Sequence, residues 1–460
     1  MQCRIGCIIF CVSFDMHNVS GWRTATLSTS ILSLDAGVSV NAEDRPHRAG
    51  EIGVLKTSAI SGGVFRPEQN KAVLPMERAL VAEPIVADSI LLSRMNTPAL
   101  VGECCYIEEA RPTLFLPDRI WQLRPKNRAD VSMRWLSFVL RSDSTRAYIE
   151  THASGTSGSM KNLAKSKLMA LPVDYPPFSE QVAIAEILDS LDTTIRQTEA
   201  IIEKLKLVKQ GLLHDLLTRG IDAGGELRPP QSQAPHLYKN SPLGWIPIDW
   251  RCSSMTMRCS LITKGTTPAA DDMWQGDDGI RFLRVDNLSF DGKFDLLASR
   301  FRISPVTHRG ALSRSRCLPG DVLTNIVGPP LGKLGLVTVE TGEVNINQAI
   351  ALFRPSLELS SEFLLLWLSS SVAQSWLGSR AKQTSGQLNL TLALCHELPI
   401  PDICLDEQQR IVERFGAVQN RITLEECELV KLRKLKDGLL DDLLTGRVRV
   451  TPLLLEPLGA

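Results

Sequence analysis

Apolar residues recur at alternating spacings of three and four along two stretches of the chain. The first holds Leu188, Leu191, Ile195, Ile202, Leu205, Leu212 and Leu216, the second Phe415, Val418, Ile422, Leu429, Leu432, Leu439 and Leu443. Each set is a heptad seam, so each stretch is expected to be a long helix with one apolar stripe. Ser179 and Asp406 stand at equivalent places as candidate N-caps, followed by Glu180 and Glu407 beside the positive end of the helix dipole. Each run ends near a glycine, Gly220 or Gly446. A helix of about 40 residues rises roughly 60 Å, longer than a domain needs internally. Lys209 and Lys436 fall on the seam, as do Thr198 and Glu425. Either Val208 and Leu435 take the core while the lysines snorkel, or polar seam positions fix the register of the helix.

The two stretches belong to a wider repetition. "GLLHDLLT" from Gly211 returns as "GLLDDLLT" from Gly438, and Leu171-Pro172, Glu180-Gln181, Ile184 and Lys204-Leu205 return without a gap as Leu398-Pro399, Glu407-Gln408, Ile411 and Lys431-Leu432. Upstream the echo is fainter but ordered. Gly21-Trp22-Arg23 answers Asp249-Trp250-Arg251, Gly37 answers Gly265, and "IGVLKTSAISGGVF" from Ile52 answers "IRFLRVDNLSFDGKF" from Ile280. "IWQLRP" from Ile120 answers "IALFRP" from Ile350, and Thr156-Ser157-Gly158 answers Thr384-Ser385-Gly386. The chain is two copies of one unit, each a variable block followed by a more similar block, which points to pseudo-twofold symmetry within one polypeptide.

The variable blocks contain short apolar or β-branched runs such as "SILLS", "DVLTNIV" and "LGLVTV", divided by Gly, Pro, Asn and Asp, and read as α+β globular domains. Residues 219–244, rich in Gly, Pro and polar residues, read as an extended connector. The division is therefore residues 1–20, a doubtful extension; 21–177, a first domain; 178–218, a central helix; 219–244, the connector; 245–403, a second domain; 404–446, a distal helix; and 447–460, a tail.

Composition narrows the function classes. Lys+Arg and Asp+Glu both number 51, so no overall field steers the protein toward a polyanion or a membrane. The balance is uneven, with excess acid over residues 178–218 and excess base over 21–170. Eleven cysteines are scattered without a CxxC pair, which points to a reduced, cytoplasmic protein without a zinc site or disulfide framework. Cys3, Cys7 and Cys11 sit four apart, but no other ligand type accompanies them. The opening segment lacks a small-residue cleavage site and has no counterpart in the second copy, so Met16 is an alternative start.

A search for catalytic motifs is negative. "GPPLGKL" from Gly328 is a residue short of a phosphate loop and has Leu334 where Ser or Thr should bind magnesium. "DYPPF" from Asp174 has Tyr175 where an amino-group methyltransferase places its acceptor, and reads as a stiff lead-in to the helix. Binding chemistry is better represented. Arg300, Arg302, Arg309, Arg314 and Arg316 fall in one segment without an acid, a composition suited to phosphate oxygens and guanine edges or to a solvated loop. Lys264, Arg284, Asn287, Asn325, Lys333, Asn347 and Gln348 sit in or beside the loops and include the side chains that read base edges.

Pro177, Glu180, Gln181 and Ile184 with "GLLHDLLT", and Pro399, Glu407, Gln408 and Ile411 with "GLLDDLLT", resemble the specificity subunit of type I restriction-modification enzymes. The resemblance runs through nearly the whole chain after about residue 20, including the connector. It implies two target-recognition domains, each recognising half of a split double-stranded DNA sequence, separated by an antiparallel coiled coil of the two helices. It implies two methyltransferase (modification) subunits and motor-nuclease (restriction) subunits as partners, no membrane, and a non-catalytic chain without cofactor. S-adenosylmethionine, ATP and Mg would belong to the partner subunits. The alternative is a coiled-coil scaffold that joins two protein-binding domains without a DNA role.

Overall fold

The computed structural model describes residues 21–155, 160–384 and 387–450. The opening segment with Cys3, Cys7, Cys11 and Met16, the Thr156-Ser157-Gly158 echo with Ser385-Gly386, and the tail past 450 lie outside the described residues. The chain mixes helix and strand and forms two compact units, residues 1–199 with 428–460, and residues 200–427. Each long helix is shared: Phe178–Thr218 gives its first half to one unit and its second half to the other, and Leu405–Leu444 does the reverse.

The echo in sequence is an echo in topology. In the first unit a four-stranded sheet has the order 104–107, 89–93, 120–125, 31–36, and in the second the order is 334–336, 322–325, 350–355, 259–264. "IWQLRP" and "IALFRP" are inner strands of these sheets, and Ile120, Leu123, Ile350, Leu352 and Phe353 are buried, as apolar residues on a twice-paired strand should be. A five-stranded sheet also recurs, 42–43, 70–73, 53–55, 111–115, 84–85 in one unit and 273–275, 301–303, 280–283, 344–346, 316–317 in the other. Its one parallel pairing, 53–55 with 111–115, is matched by 280–283 with 344–346. A two-stranded ladder brings 23–26 against 172–175 and 251–254 against 399–402, just ahead of each long helix.

All fourteen seam residues are buried or half-buried, whereas off-seam Ile201, Leu207, Val208, Leu424 and Val430 are exposed. Within the first unit Asp192 pairs with Lys436 at 2.5 Å and Glu199 with Arg433 at 2.6 Å; within the second Lys206 pairs with Glu426 at 3.6 Å and Lys209 lies over the Phe415 ring at 5.3 Å. Rising numbers on one helix meet falling numbers on the other, so the halves run antiparallel. The polar seam positions are used as such. Val208 is 48% exposed and does not take the core, because the Lys209 stem and ammonium occupy the seam against Phe415. Burial there pushes the Lys209 ammonium down from its ordinary pKa. Thr198 is buried and returns its hydroxyl to the Thr194 carbonyl, and Glu425 pairs with Arg421.

Two expectations need correction. The helices begin at Phe178 and Leu405, so Ser179 and Asp406 are second helical residues, and Pro177 and Cys404 take the cap position. The Pro177 carbonyl accepts from Glu180 and Gln181, and that of Cys404 from Glu407 and Gln408. The connector is not extended. Strands 238–241 and 244–247 form a hairpin, Ala234 and Tyr238 are buried, and the Tyr238 hydroxyl donates to the Pro229 carbonyl. Gly220 and Gly446 end the helices at φ +65° and +70°, the left-handed turn that glycine adopts without strain.

The Glu-Gln pair at each helix start closes its unit. Glu180 accepts from the Trp22 indole at 3.3 Å and pairs with Arg449 at 2.5 Å, while Glu407 accepts from the Trp250 indole at 3.1 Å and pairs with Arg228 at 2.5 Å. The carboxylate side chains are only 3% and 5% exposed. Arg449 follows the end of one long helix and Arg228 the end of the other, so each glutamate ties a helix start to the segment leaving its partner. The residues just past 446 accordingly belong to the first unit, where Val448 and Val450 are buried in the same core as Leu443. Gln181 accepts from the Ser132 amide at 2.9 Å and Gln408 from the Ser360 amide at 2.8 Å. Ser132 and Ser360 are the N-caps of helices Met133–Arg141 and Ser361–Ser369. Each glutamine thus fixes a domain helix to the long helix.

Replacing Leu205 and Leu432 together by Asp sets unpaired carboxylates against the seam and is expected to cost about 2–3 kcal/mol at each site. Thermal melting checks this; an unchanged melting temperature in the double variant would contradict the seam.

Candidate nucleic-acid interface

In the second unit the loops at one end of the two sheets are stitched together by their own backbone. Lys264 ends strand 259–264, and Gly265 follows with its amide donating to the Ile350 carbonyl at 3.1 Å. A Cβ on Gly265 would lie 2.0 Å from the Ile346 carbonyl oxygen and 2.2 Å from that of Asn347, so only glycine allows this approach. Asn347 donates its amide to the Leu283 carbonyl at 3.1 Å, and the Lys333 ammonium reaches the Val285 carbonyl at 3.4 Å. The Arg314 guanidinium donates to the Thr266 hydroxyl at 3.0 Å. The loops carrying Lys264, Arg284, Arg314, Lys333, Asn347 and Gln348 are therefore one connected surface.

Lys264, Arg284, Arg314 and Gln348 are exposed there, and Lys333 and Asn347 half-exposed. None of the four cations forms an ion pair among the described residues, so their charge is available to an anionic partner. Arg284 is held over the Phe301 ring at 4.9 Å, which restricts it without neutralising it.

Two asparagines are built into this frame. Asn287 is fully buried, accepts from the Arg284 amide at 3.0 Å and donates to the carbonyls of Asp295 and Ser299 at 2.8 and 3.1 Å. Asn325 is 1% exposed, accepts from the Lys333 amide at 2.9 Å and donates to the Pro330 carbonyl at 2.9 Å. Their polar edges shape the loops and face no solvent. The Asn325 network also explains "GPPLGKL", which leads into strand 334–336 and opens no helix that could hold a phosphate. The Pro-Pro lead-in is likewise structural, since the Pro176 carbonyl accepts from the Gln181 side chain at 3.0 Å.

The arginine-rich segment does not act as one patch. Arg314 joins the loop surface, Arg300 and Arg309 are exposed elsewhere, Arg316 lies 3.8 Å from Glu343, and Arg302 is buried on strand 301–303. Arg302 lies within strand 301–303, whereas Arg300, Arg309 and Arg314 lie outside it and are exposed, so closeness in sequence does not make one surface. Sequence reading named no residue of the first unit's loops, although the echo of Gly37 with Gly265 marked them. A Cβ on Gly37 would stand 1.7 Å from the Leu116 carbonyl oxygen, the same approach as at Gly265. In that unit Lys56 and Lys71 both turn to Asp44, at 2.8 and 3.7 Å, and the Lys56 ammonium holds the Asp44 carboxyl below its ordinary pKa. Among the described residues no cluster of three His, Cys, Asp or Glu side chains could hold a metal ion, and no helix is long and apolar enough to cross a membrane.

Residues 50–207 and 315–434 match the family described as the type I restriction modification DNA specificity domain. The chain is 30% identical over 275 residues to the EcoBI specificity subunit of Escherichia coli, covering 57% of this chain and 54% of that one. It is 28% identical over 202 residues to the EcoEI specificity subunit of the same organism, covering 43% and 33%. The match thus spans less than two thirds of either relative. Among solved structures, an HsdS subunit from Thermoanaerobacter tengcongensis superposes with a TM-score of 0.50 at 17% identity, covering 93% of this chain and 98% of that one. The S subunit of a type I system from M. genitalium gives 0.53 at 16% identity, covering 94% and 98%. At such identities the likeness is one of fold.

Gly265→Ala is expected to push the loop bearing Asn347 away from the strand end, at a cost of about 1–3 kcal/mol. Thermal melting reads this, and wild-type stability in the variant would show that the close approach is not required.

Proposed function

The chain belongs to the type I restriction-modification DNA specificity family, and from that premise we propose that it is the specificity subunit of such a complex. In this reading it binds double-stranded DNA at a bipartite target, one half through each unit. The observation that carries the proposal is the duplication itself: one recognition fold, present twice in a single chain, each copy closed by the same glutamate and glutamine. Two copies of one reader suit a duplex whose strands are related by a dyad. The unpaired cations of the second unit's loops suit phosphate oxygens, and their Arg, Asn and Gln side chains suit base edges.

The chain's role is to bind and position. Methyl transfer and cleavage belong to partner subunits, two modification subunits with S-adenosylmethionine and restriction subunits with ATP and Mg. A near-zero net charge is compatible with this, because partners can supply much of the phosphate contact.

Methylome sequencing of a host carrying the gene with its modification partner tests the reading. The expected result is methylation confined to one bipartite sequence; no sequence-dependent methylation would favour the scaffold alternative. Replacing residues 21–170 with the block of another allele is expected to change one half of that sequence only, and a change in both halves would reject independent reading. Purified chain free of partner is expected to transfer no methyl group to DNA.

A further inference from the structure

In the second unit's five-stranded sheet, Trp274 faces Arg302 and Arg302 faces Arg281 across neighbouring strands. Directly opposed residues share one face with their Cβ atoms about 5 Å apart, so the two guanidinium stems lie side by side. Arg302 is 8% exposed, its Nε atom is buried without a partner, and among the described residues its side chain makes no hydrogen bond or ion pair. Arg281 is half-buried and donates only to the Thr341 carbonyl, at 3.3 Å. The carboxylates close in sequence, Asp271, Asp272, Asp277 and Asp278, are exposed and pair with neither arginine. Trp274, 39% exposed, is pinned at the edge of the row by Gly279, where a Cβ would stand 2.9 Å from the indole.

Like charges placed opposite each other in a sheet destabilise it, and a guanidinium as enclosed as that of Arg302 adds a desolvation cost. The fold does not require this. At the equivalent positions of the first unit's sheet the row reads Glu43, Ala72 and Gly53, with no cation at all. The same sheet forms without the arginines, so the fold does not account for them, and among the described residues no carboxylate pairs with either.

We infer that Arg281 and Arg302, with Trp274 at their edge, form a phosphodiester contact for DNA bound by the second unit, separate from the loop surface. The inference rests on the specificity-subunit reading. A phosphate oxygen pair would neutralise both guanidinium groups at once, in the forked geometry that arginine favours. Such a contact positions the duplex and carries no sequence information.

The test uses the full chain assembled with its modification subunits and a mixed-sequence duplex, with affinity measured across a range of salt concentrations. Arg302→Met and, as a milder variant at a half-exposed position, Arg281→Gln are each expected to flatten the log affinity against log salt slope by roughly 0.9. Both are expected to leave the methylated sequence unchanged and to melt no lower than wild type without DNA, since each removes a charge repulsion. An unchanged slope with a lowered melting temperature would make the arginines structural and overturn the proposal. A changed methylated sequence at unchanged slope would overturn it in favour of base reading. Failure of the wild-type assembly to bind any duplex would overturn the specificity-subunit reading itself, and this contact with it.

Discussion

A buried carboxylate at the start of each long helix is the constraint on which the rest of the fold depends. Glu180 and Glu407 each sit where three parts of one unit meet: the first turn of a long helix, the tryptophan that opens the domain, and the arginine that follows the other long helix. A charge so enclosed is tolerable only when its hydrogen bonds are complete, and removing one partner of such a pair typically costs about 3–5 kcal/mol. The neighbouring glutamine adds a neutral tie from the same turn to a helix cap inside the domain. Helices and domain are thereby made one body within each unit, so that side chains on the loops are held in place by the helix pair.

Duplication preserved this frame and released the rest. The strand orders of the four- and five-stranded sheets, the close-approach glycines and the glutamate ties are the same in both units. The faces differ: the seam lysine meets Asp192 in one unit and the Phe415 ring in the other, and the sheet row that holds two arginines in the second unit holds alanine and glycine in the first. A frame fixed by buried polar ties can carry different surfaces without losing its topology.

Much of this was legible in the sequence. Seam periodicity located both helices and the stripe each buries, because helix burial follows a local repeat, while Leu217, buried in the core of the second unit, falls off that seam. The Glu-Gln and glycine echoes marked the ties and the loop contacts before their partners were known. The partners themselves were not legible: Arg449 lies 269 positions from Glu180, and a parallel pair such as 53–55 with 111–115 leaves no local mark. Ser179 and Asp406 misled as caps because the carbonyls of Pro177 and Cys404 accept the first helical amides instead. The connector's polar composition concealed a hairpin held down by Tyr238 and Arg228. The run of arginines along residues 299–317 does not reveal that Arg302 is buried on strand 301–303 while Arg300, just ahead of that strand, is exposed.

The most direct test of the glutamate ties is amide hydrogen exchange on the full chain carrying Glu407→Ala. The account predicts that protection falls in residues 219–228, in strand 251–254 and in the helix halves of the second unit, while the first unit, with Glu180 intact, exchanges as in wild type. Unchanged protection at those segments, or an equal loss in both units, would contradict it.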